Sequence, residues 1–316
     1  MNNPPVLYIV IPCYNEEEAL PITSKRVAAL TDDMIAKRII APESRILMVD
    51  DGSKDRTWEV IAGLCRSDAR FEGVKLAHNA GHMNALWAGM RMVCDACDAL
   101  VTIDADLQDD VNAIYGFLEK YREGCDVVYG VRRDRSTDTA FKRSTAQGFY
   151  RLMKRLGVEM VYNAADYRLL SRRAVEALLQ FGEVNMFLRG MVPLLGFKTA
   201  EVYYERGERV AGESKYPLKK MVAFAIEGIT SFSNKPIRFV TLLGFLFALL
   251  GVAMAVYVLV TLFAGHSVAG WASTIMSIWL LGGIQLIALG LIGEYVGKIY
   301  METKRRPKFI LEEYRK

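Results

Sequence analysis

Several familiar sequence patterns are absent from this chain. Its 316 residues include five cysteines and three histidines. The single Cys-x-x-Cys pair, Cys94 and Cys97, has neither a second pair nor a nearby histidine, so helix packing explains it better than a zinc site. Five cysteines without a disulfide framework suit a reducing compartment. No secretory signal is expected either, because the apolar run at residues 6–11 is short and lacks a preceding basic region.

Two nucleotide-binding motifs are missing as well. No Gly-x-Gly-x-x-Gly follows the first predicted strand, which argues against a dinucleotide-binding Rossmann site. Gly207 and Gly212 have the spacing of a P-loop. However, the required Lys and Ser/Thr order fails, since the residues that follow are Glu213, Ser214 and Lys215. A kinase or an ATPase therefore fits the sequence poorly.

Charged residues are absent from two long stretches near the C-terminus, residues 239–264 and 271–292. Each exceeds the roughly 20 residues that span a bilayer core, so we predict membrane helices at about 239–264 and 271–296. The loop between them, residues 265–270, has no Lys or Arg, whereas basic residues flank the pair on both sides. The positive-inside rule then places both flanks, and the whole N-terminal part, in the cytoplasm.

These charge patterns divide the chain into four parts. They predict a cytoplasmic domain at 1–215, an amphipathic juxtamembrane helix at 216–238, two transmembrane helices within 239–298 and a basic cytoplasmic tail at 299–316. The amphipathic helix either lies in the membrane interface or packs on the cytoplasmic domain. The net charge of +4 is modest, and the basic residues beside the membrane favour anionic lipid over nucleic acid as a partner.

Within residues 1–215, short apolar runs alternate with helical patterns. The predicted strands are residues 7–11, 45–49, 74–77, 99–103, 126–130 and 197–204. This rhythm predicts an α/β fold in which a mostly parallel sheet has helices on both faces. Asn15 is predicted to cap the helix that follows the first strand.

Polar side chains follow most of these strands. They are Asn15, Asp50, Asp51, Asn79, Asp104, Asp106 and Arg132. The carboxyl ends of parallel strands share one edge of the sheet, where ligands of α/β proteins bind. Asp104 and Asp106 would repel each other unless a cation lay between them, and Mg²⁺ or Mn²⁺ suits carboxylate and phosphate oxygens. The same Asp-x-Asp pattern also fits a solvated acidic turn.

Two further segments have more than one interpretation. Asp166 fits a helix cap or an ion pair with Arg168. The loop at residues 206–216 is rich in glycine and basic residues, which suits either a phosphate site or a solvated surface loop.

Taken together, the motifs resemble the inverting family 2 glycosyltransferases with a GT-A (Rossmann-like) fold. The resemblance covers nearly the whole chain and is strongest to the polyprenyl-phosphate glycosyltransferases, which include bactoprenol glucosyltransferases and dolichol-phosphate mannose synthases. The matching segments are Ile11-Pro12-x-Tyr14-Asn15-Glu16, Val49-Asp50-Asp51-Gly52-Ser53-x-Asp55, Asp104-Ala-Asp106-Leu-Gln108-Asp109, Asp166-Tyr-Arg168-Leu-Leu, Phe187-Leu-Arg189-Gly190 and Arg209-x-x-Gly212-x-Ser214-Lys215-Tyr216. Residues 79–83 depart from the family, which commonly has an aromatic residue after the Asn and Gln after the His.

The resemblance implies roles for individual residues. Nucleotide binding would involve Pro12, Tyr14, Glu16, Asp50, Asp51 and Asp104. The divalent cation, Mg²⁺ or Mn²⁺, would be held by Asp104, Asp106 and Gln108. The catalytic positions would be Asp166 and Asp106, and the acceptor phosphate would be bound by Arg132, Arg209, Ser214 and Lys215.

The resemblance also implies an activity. A nucleotide sugar, with UDP-glucose as the first choice, would pass its sugar with inversion to undecaprenyl phosphate. The enzyme would be a multi-pass protein of a bacterial inner membrane, with its catalytic domain in the cytoplasm. Its partners would be the nucleotide sugar, the polyprenyl phosphate and membrane lipids, with no nucleic acid, and relatives suggest a homo-oligomer.

Three alternatives stay open at this point. UDP-GlcNAc, GDP-mannose or another donor would give the same reaction with a different sugar. A processive polysaccharide synthase fits less well, because no Gln-x-x-Arg-Trp motif is present and two spans make a poor translocation channel. A membrane scaffold that binds nucleotide sugars without catalysis is the alternative from another class.

Overall fold

The computed structural model describes residues 3–133, 161, 163–184, 186–205, 207, 235–264 and 270–316. The described strands are β1 (Leu7–Cys13), β2 (Arg45–Asp50), β3 (Phe71–Leu76), β4 (Ala99–Thr102), β5 (Val127–Arg132), β6 (Ala164–Ser171), β7 (Thr199–Tyr204) and β8 (Leu311–Arg315). The described helices are α1 (Leu20–Ala36), α2 (Thr57–Ser67), α3 (His82–Val93), α4 (Ala113–Arg122), α5 (Arg172–Leu179), α6 (Leu188–Leu194), α7 (Lys235–Phe263) and α8 (Trp271–Thr303).

All of these strands belong to one sheet, in the order β7-β5-β6-β4-β1-β2-β3-β8. The pairs β1–β2, β1–β4, β2–β3 and β5–β7 are parallel. Strand β6 runs antiparallel between β4 and β5, and β8 runs antiparallel along the outer edge of β3. The predicted mostly parallel sheet is therefore confirmed.

Helices cover both faces of the sheet, as predicted. Side chains alternate along β1, so that Ile9 and Ile11 enter one core cluster and Tyr8 and Val10 enter the other. The first cluster contains residues from α1, α2 and α4, and the second contains residues from α3, α5 and α6. Burial on both faces explains why the central strands read as continuous apolar runs.

The start of α1 differs from the sequence prediction. The helix begins at Leu20 rather than directly after Asn15, so the prediction that Asn15 caps it is wrong. Asn15 has a positive φ of 55°, and its side-chain Oδ1 accepts a hydrogen bond from the Lys54 N–H at 2.8 Å. Asn15 thus ties the β1–α1 loop to the β2–α2 loop, a long-range contact that local sequence does not reveal.

Helices α7 and α8 contain the two long apolar stretches, and many of their apolar side chains are exposed. Among the described residues, one helical segment, Leu280–Thr303, is long and apolar enough to cross a membrane. The two predicted spans lie within α7 and α8, apart from Ala264, and their crossing of a membrane stays a prediction. Residues 216–234 of the predicted amphipathic helix lie outside the described residues.

The C-terminal segment forms a strand that the sequence analysis does not predict. Residues 299–316 were expected to be a tail, but the end of this segment, β8, pairs with β3 and becomes the edge of the sheet. Side chains reinforce the pairing, because Tyr314 Oη donates to Glu72 Oε2 at 2.5 Å and Lys75 Nζ lies 2.8 Å from Glu312 Oε1. The chain therefore returns to the N-terminal domain after α8.

Candidate active site

The candidate site lies at the carboxyl ends of β1, β2 and β4. Pro12 is buried within β1, and the chain then emerges so that Tyr14 has 38% of its surface exposed. Glu16 is half-buried, and its backbone N–H donates to Thr57 Oγ1 at 2.8 Å. The register pairs Cys13 with Asp50, so the predicted nucleotide-binding residues of β1 and β2 do meet at one edge.

Asp50 and Asp51 end β2 and have different surroundings. Asp50 is fully buried, and burial raises its pKa. Its Oδ1 accepts the Ser53 N–H at 3.1 Å, whereas Oδ2 has no hydrogen-bond partner among the described residues. Asp51 accepts the N–H groups of Ala80 and Gly81 at 2.7 and 3.0 Å. Asp51 therefore shapes the β3–α3 loop.

Gly52 allows the β2–α2 and β3–α3 loops to approach closely. Its φ is +64°, and a Cβ at this position would lie 2.5 Å from the Asn79 backbone nitrogen. A residue with a side chain would suffer both the left-handed backbone conformation and a collision with backbone. The close approach places the β3–α3 loop beside the ends of β2 and β4.

His82 is the first residue of α3 and stands between two carboxylates. Its Nε2 lies 3.8 Å from Asp104 Oδ1 and 3.8 Å from Asp166 Oδ2. The imidazole is 39% exposed, so it faces both the acids and the cleft. Sequence analysis gave His82 no role. One feature of the sequence could have drawn attention to His82: it lies in residues 79–83, the segment that departs from the family pattern.

Asp104 and Asp106 stand on the turn that follows β4. Asp106 Oδ1 accepts the Gln108 N–H at 3.1 Å, and Leu107 between them has a φ of +51°. Desolvation raises the pKa of Asp104 to about 6, and the nearby charges of Asp109, Asp166 and Asp106 add to this shift while His82 opposes it. The side chain nevertheless has 42% of its surface exposed to the cleft. The turn thus carries an excess of negative charge.

This donor set fits a hard divalent cation that also binds phosphate. Among the described residues, no three His, Cys, Asp or Glu side chains converge as a metal site. Mg²⁺ is commonly held by one or two carboxylates, with substrate phosphates and water completing its octahedron. Asp104 and Asp106 supply that number of carboxylates, and a cation there would offset both the desolvation of Asp104 and the repulsion from its acidic neighbours.

Asp166 is held by two arginines. It lies on β6, which places Asp166 and Arg168 on the same face of the strand. Arg168 Nη2 is 2.5 Å from Asp166 Oδ1, and Arg189 donates from Nη2 and Nε to Oδ2 at 2.9 and 3.2 Å. Burial alone would raise the pKa of Asp166, but the Arg189 and Arg168 charges outweigh it and hold the pKa well below its usual range. The ion pair with Arg168 is confirmed, and the helix-cap interpretation is wrong.

Arg189 is a second residue to which sequence analysis assigned no role. It belongs to the quoted segment 187–190, which was the available signal, but nothing in the sequence pairs it with Asp166. Its side chain is 36% exposed, compared with 3% for Arg168, so Arg189 borders the open side of the buried carboxylate.

Arg132 lies beside the same acidic turn. Its Nη2 is 3.2 Å from Asp109 Oδ1, and its Nε donates to Tyr204 Oη at 3.3 Å. Tyr204 Oη in turn donates to Asp109 Oδ1 at 2.5 Å. The Gln108 carbonyl accepts the Gly207 N–H at 2.9 Å, which brings the start of the basic loop to this turn. The predicted phosphate-binding residues Arg209, Ser214 and Lys215 lie outside the described residues.

Comparison with known sequences identifies the family. The model of glycosyl transferase family 2 matches residues 8–179. The chain belongs to glycosyltransferase family 2. Residues 235–299 of the glycosyltransferase match a second model, the GtrB C-terminal hairpin. The predicted family, enzyme class and GT-A fold are thereby confirmed.

Three relatives illustrate how far the similarity extends. The glycosyltransferase is 54% identical to the uncharacterized glycosyltransferase YkoT of Bacillus subtilis, over 98% of this chain and 91% of that protein. It is 39% identical to the prophage bactoprenol glucosyl transferase homolog of Escherichia coli, over 98% and 99% of the two chains. It is also 39% identical to the bactoprenol glucosyl transferase of Shigella phage SfV, over 96% and 97%.

Proposed function

We propose that the glycosyltransferase transfers glucose from UDP-glucose to a polyprenyl phosphate, with undecaprenyl phosphate as the acceptor. One observation carries the proposal: relatives that are named bactoprenol glucosyl transferases align with nearly the whole chain, including both the catalytic domain and the C-terminal hairpin. The acidic turn and the adjacent arginines supply groups that such a reaction needs. The donor sugar rests on the names of those relatives alone.

The donor would bind along the edge formed by β1, β2 and β4. Pro12, Tyr14, Glu16 and Asp50 would border the nucleotide, with Tyr14 offering an exposed ring and Asp50 an unpartnered buried oxygen. Asp51 would act indirectly, by holding the loop that carries His82.

Asp104 and Asp106, with the Gln108 side chain, would hold Mg²⁺ or Mn²⁺. The cation, when bound, neutralises the departing diphosphate as a Lewis acid. Asp106 is kept in place by the Gln108 N–H, and His82 faces Asp104 from across the cleft. These contacts support a preformed turn at the end of β4.

The acceptor does not need a strong general base. The second pKa of a phosphomonoester is near 6, so its oxygen is largely ionised at pH 7 and can attack the sugar carbon directly. The bond from that carbon to the diphosphate oxygen breaks as the new bond forms, which inverts the configuration. Arg168 and Arg189 hold Asp166 as an anion. Asp166 would then orient the sugar and keep Arg189 in place, and it would not act as a base.

Cationic residues at the other side of the acidic turn would receive the acceptor phosphate. Arg132 offers a planar guanidinium for bidentate binding, and Lys215 would add a point charge. Arg209 and Ser214 would complete this phosphate site. The position of Arg132 beside Asp109 supports the assignment, because it lies next to the turn that would hold the donor diphosphate.

The fold supports two membrane crossings, and the basic residues that flank the two helices favour the cytoplasm for the catalytic domain. Helices α7 and α8 lie between β7 and β8 in the chain, and both strands belong to one sheet. A chain that leaves a domain and returns to it crosses a membrane an even number of times. If α8 crosses, α7 is the long apolar helix that provides the second crossing. The proposed parts remain a catalytic domain at 1–215, an amphipathic helix at 216–238 and spans within 239–298.

The test is sugar transfer by the purified full-length protein. Undecaprenyl phosphate is offered with a panel of labelled UDP- and GDP-sugars, in Mg²⁺ or Mn²⁺ and in EDTA. We expect a labelled lipid with UDP-glucose and none in EDTA. If a product formed only with another sugar, the assignment of UDP-glucose as the donor would be wrong. Activity in EDTA would contradict the requirement for a divalent cation. No product with any donor, together with nucleotide-sugar binding in calorimetry, would favour the non-catalytic scaffold.

Variants of the acidic turn test the site itself. Asp104→Asn and Asp106→Asn should each lower activity by about 100-fold or more, because each removes a charge from the cation site. Asp110→Asn is the matched control, since Asp110 is an exposed acid on the same turn whose side-chain Oδ1 accepts from the backbone and side-chain amides of the neighbouring Asn112. Full activity in both site variants would overturn the proposal.

A further inference from the structure

The linker between α5 and α6, of which residues 180–184 and 186–187 are described, lies between the contacts of Asp166 and the end of α8. At its C-terminal end it continues into α6, whose Arg189 holds Asp166. The adjoining Leu188 carbonyl accepts a hydrogen bond from Arg168 at 3.4 Å. The contact of Arg189 with Asp166 therefore depends on where this linker places the start of α6.

The other end of the linker is held by the segment that leaves α8. Glu302, in the last turn of α8, accepts the Val184 N–H with both carboxylate oxygens, at 2.8 and 2.9 Å. Lys308 Nζ donates to the Phe181 carbonyl at 3.0 Å and lies 3.6 Å from the centre of the Trp87 ring. Strand β8 follows directly and fixes this segment to the sheet.

Helix α6 buries Leu188, Met191 and Val192 in the core, but it lacks two common sources of helix stability. It is seven residues long, contains Pro193, and has no side-chain cap at its N-terminus. A proline inside a helix removes a backbone hydrogen bond, and a missing cap leaves the first N–H groups unsatisfied by side chains. Arg189 is also partly exposed, so packing alone does not fix it. The contacts that hold the linker therefore add to core packing in setting the position of Arg189.

We propose that Glu302 is a positioning residue for the transfer reaction, which holds the linker so that Arg189 stays aligned with Asp166. This inference rests on the proposed function of the Asp166 site. It places a determinant of catalytic geometry on the membrane helix α8, far from the acidic turn in sequence. A displacement of about 1 Å at a reacting centre can cost up to 100-fold in rate, so a backbone contact of this kind can control turnover.

The first test compares kinetics of full-length variants reconstituted in lipid nanodiscs. Glu302→Ala should lower kcat by about tenfold while the KM for the nucleotide sugar stays within about twofold, because the donor pocket is untouched. Glu302→Gln keeps an acceptor oxygen and should recover most of the rate. Glu312→Ala is the matched control, since Glu312 lies on the same C-terminal segment but pairs with Lys75 on the sheet edge.

The second test measures amide hydrogen exchange in the same samples. Glu302→Ala should increase exchange in residues 180–194 and leave β3 and β8 protected, which separates loss of positioning from loss of folding. Wild-type kcat in Glu302→Ala, or unchanged exchange in the linker, would overturn the inference. If Arg189→Ala is inactive while Glu302→Ala matches the wild type, this inference fails alone. Full activity in Arg189→Ala would overturn both the inference and the proposed site.

Discussion

At the scale of single residues, the neighbours of Asp166 decide what this carboxylate can do. The residue is 6% exposed, and two arginines contact its two oxygens. A group whose pKa is held well below its usual range stays ionised at neutral pH and is a weak base. An ionised acceptor phosphate does not require a strong base, so the environment of Asp166 agrees with the chemistry proposed for it.

Gly52 is the residue where backbone geometry matters most for the site. We expect Gly52→Ala to lower the midpoint of thermal unfolding and to weaken nucleotide binding by about tenfold or more. The added Cβ would meet the Asn79 nitrogen at 2.5 Å, and this would displace the loop that carries His82. Thermal unfolding and calorimetry with UDP measure the two effects.

Gly124 provides the control for that substitution. It also has a positive φ, of +83°, but a Cβ there would meet open space. Gly124→Ala should therefore show only the conformational cost of a left-handed residue, about 1–2 kcal/mol, with UDP binding unchanged. Equal effects of the two substitutions on UDP binding would show that the close approach of the loops is unimportant.

Only part of the site could be predicted at this scale. The position of Asp104 and Asp106 at the edge of the sheet was predictable, because they follow a buried strand and strand ends meet at one edge of a parallel sheet. Arg189 and His82 could not be assigned, because they reach Asp166 from separate helices and no local spacing links them. The sequence allowed Asp166 either to cap a helix or to pair with Arg168. Because both residues lie on strand β6, the ion pair is the correct interpretation.

At the scale of secondary-structure elements, the parallel core was predictable and the antiparallel strands were not. Strands β1 to β5 are apolar runs that lie between helical patterns, and such runs can be recognised from the local sequence. Strand β6 contains the charged residues Asp166 and Arg168 in its interior, and β8 contains Leu311 as its one aliphatic residue. Their strand conformation comes from pairing with distant partners, which a local pattern does not contain.

The connection between α8 and β8 predicts a dependence of stability on pH. Burial lowers the pKa of Lys308 from 10.5 to about 8, although Glu183 and Glu302 partly offset the shift. Between these two values the unfolded chain binds a proton that the folded chain does not, so stability rises with pH there. Relative to Lys308→Met, the wild-type unfolding midpoint should be constant below about pH 7 and should rise from pH 8 to 9.5.

Thermal unfolding of both proteins in the same detergent from pH 6 to 9.5 measures this difference. The window stops below the region in which tyrosines with raised pKa values ionise, Tyr8 at about 12 among them. A difference that falls as the pH rises from 8 would contradict the assigned environment of Lys308.

At the scale of the whole molecule, the C-terminal hairpin of α7 and α8, which we propose crosses the membrane, is an insertion between two strands of one sheet. This arrangement predicts that residues 265–269 lie on the opposite side of the membrane from the C-terminus. In intact cells, a membrane-impermeant thiol reagent should label Ser267→Cys from outside and should label Lys316→Cys only after lysis. Labelling of both, or of neither, in intact cells would contradict two crossings.

The native cysteines do not obscure that experiment. Four of the five are buried, and the fifth, Cys65, is half-buried in α2 of the catalytic domain. A Cys65→Ser background removes the remaining accessible thiol if unmodified protein gives a signal.

The return of β8 to the sheet also sets an order of events during synthesis. Lys75 and Glu312, which pair across β3 and β8, are 237 residues apart in the chain. At about 5–20 residues per second, the ribosome needs roughly 10 to 50 s to travel between them. During that time β3 is an open edge, which is a hazard for aggregation. Because α7 and α8 emerge before β8, the catalytic sheet is completed only on chains whose hairpin has already been synthesised, so the C-terminal hairpin sets when the enzyme can finish folding.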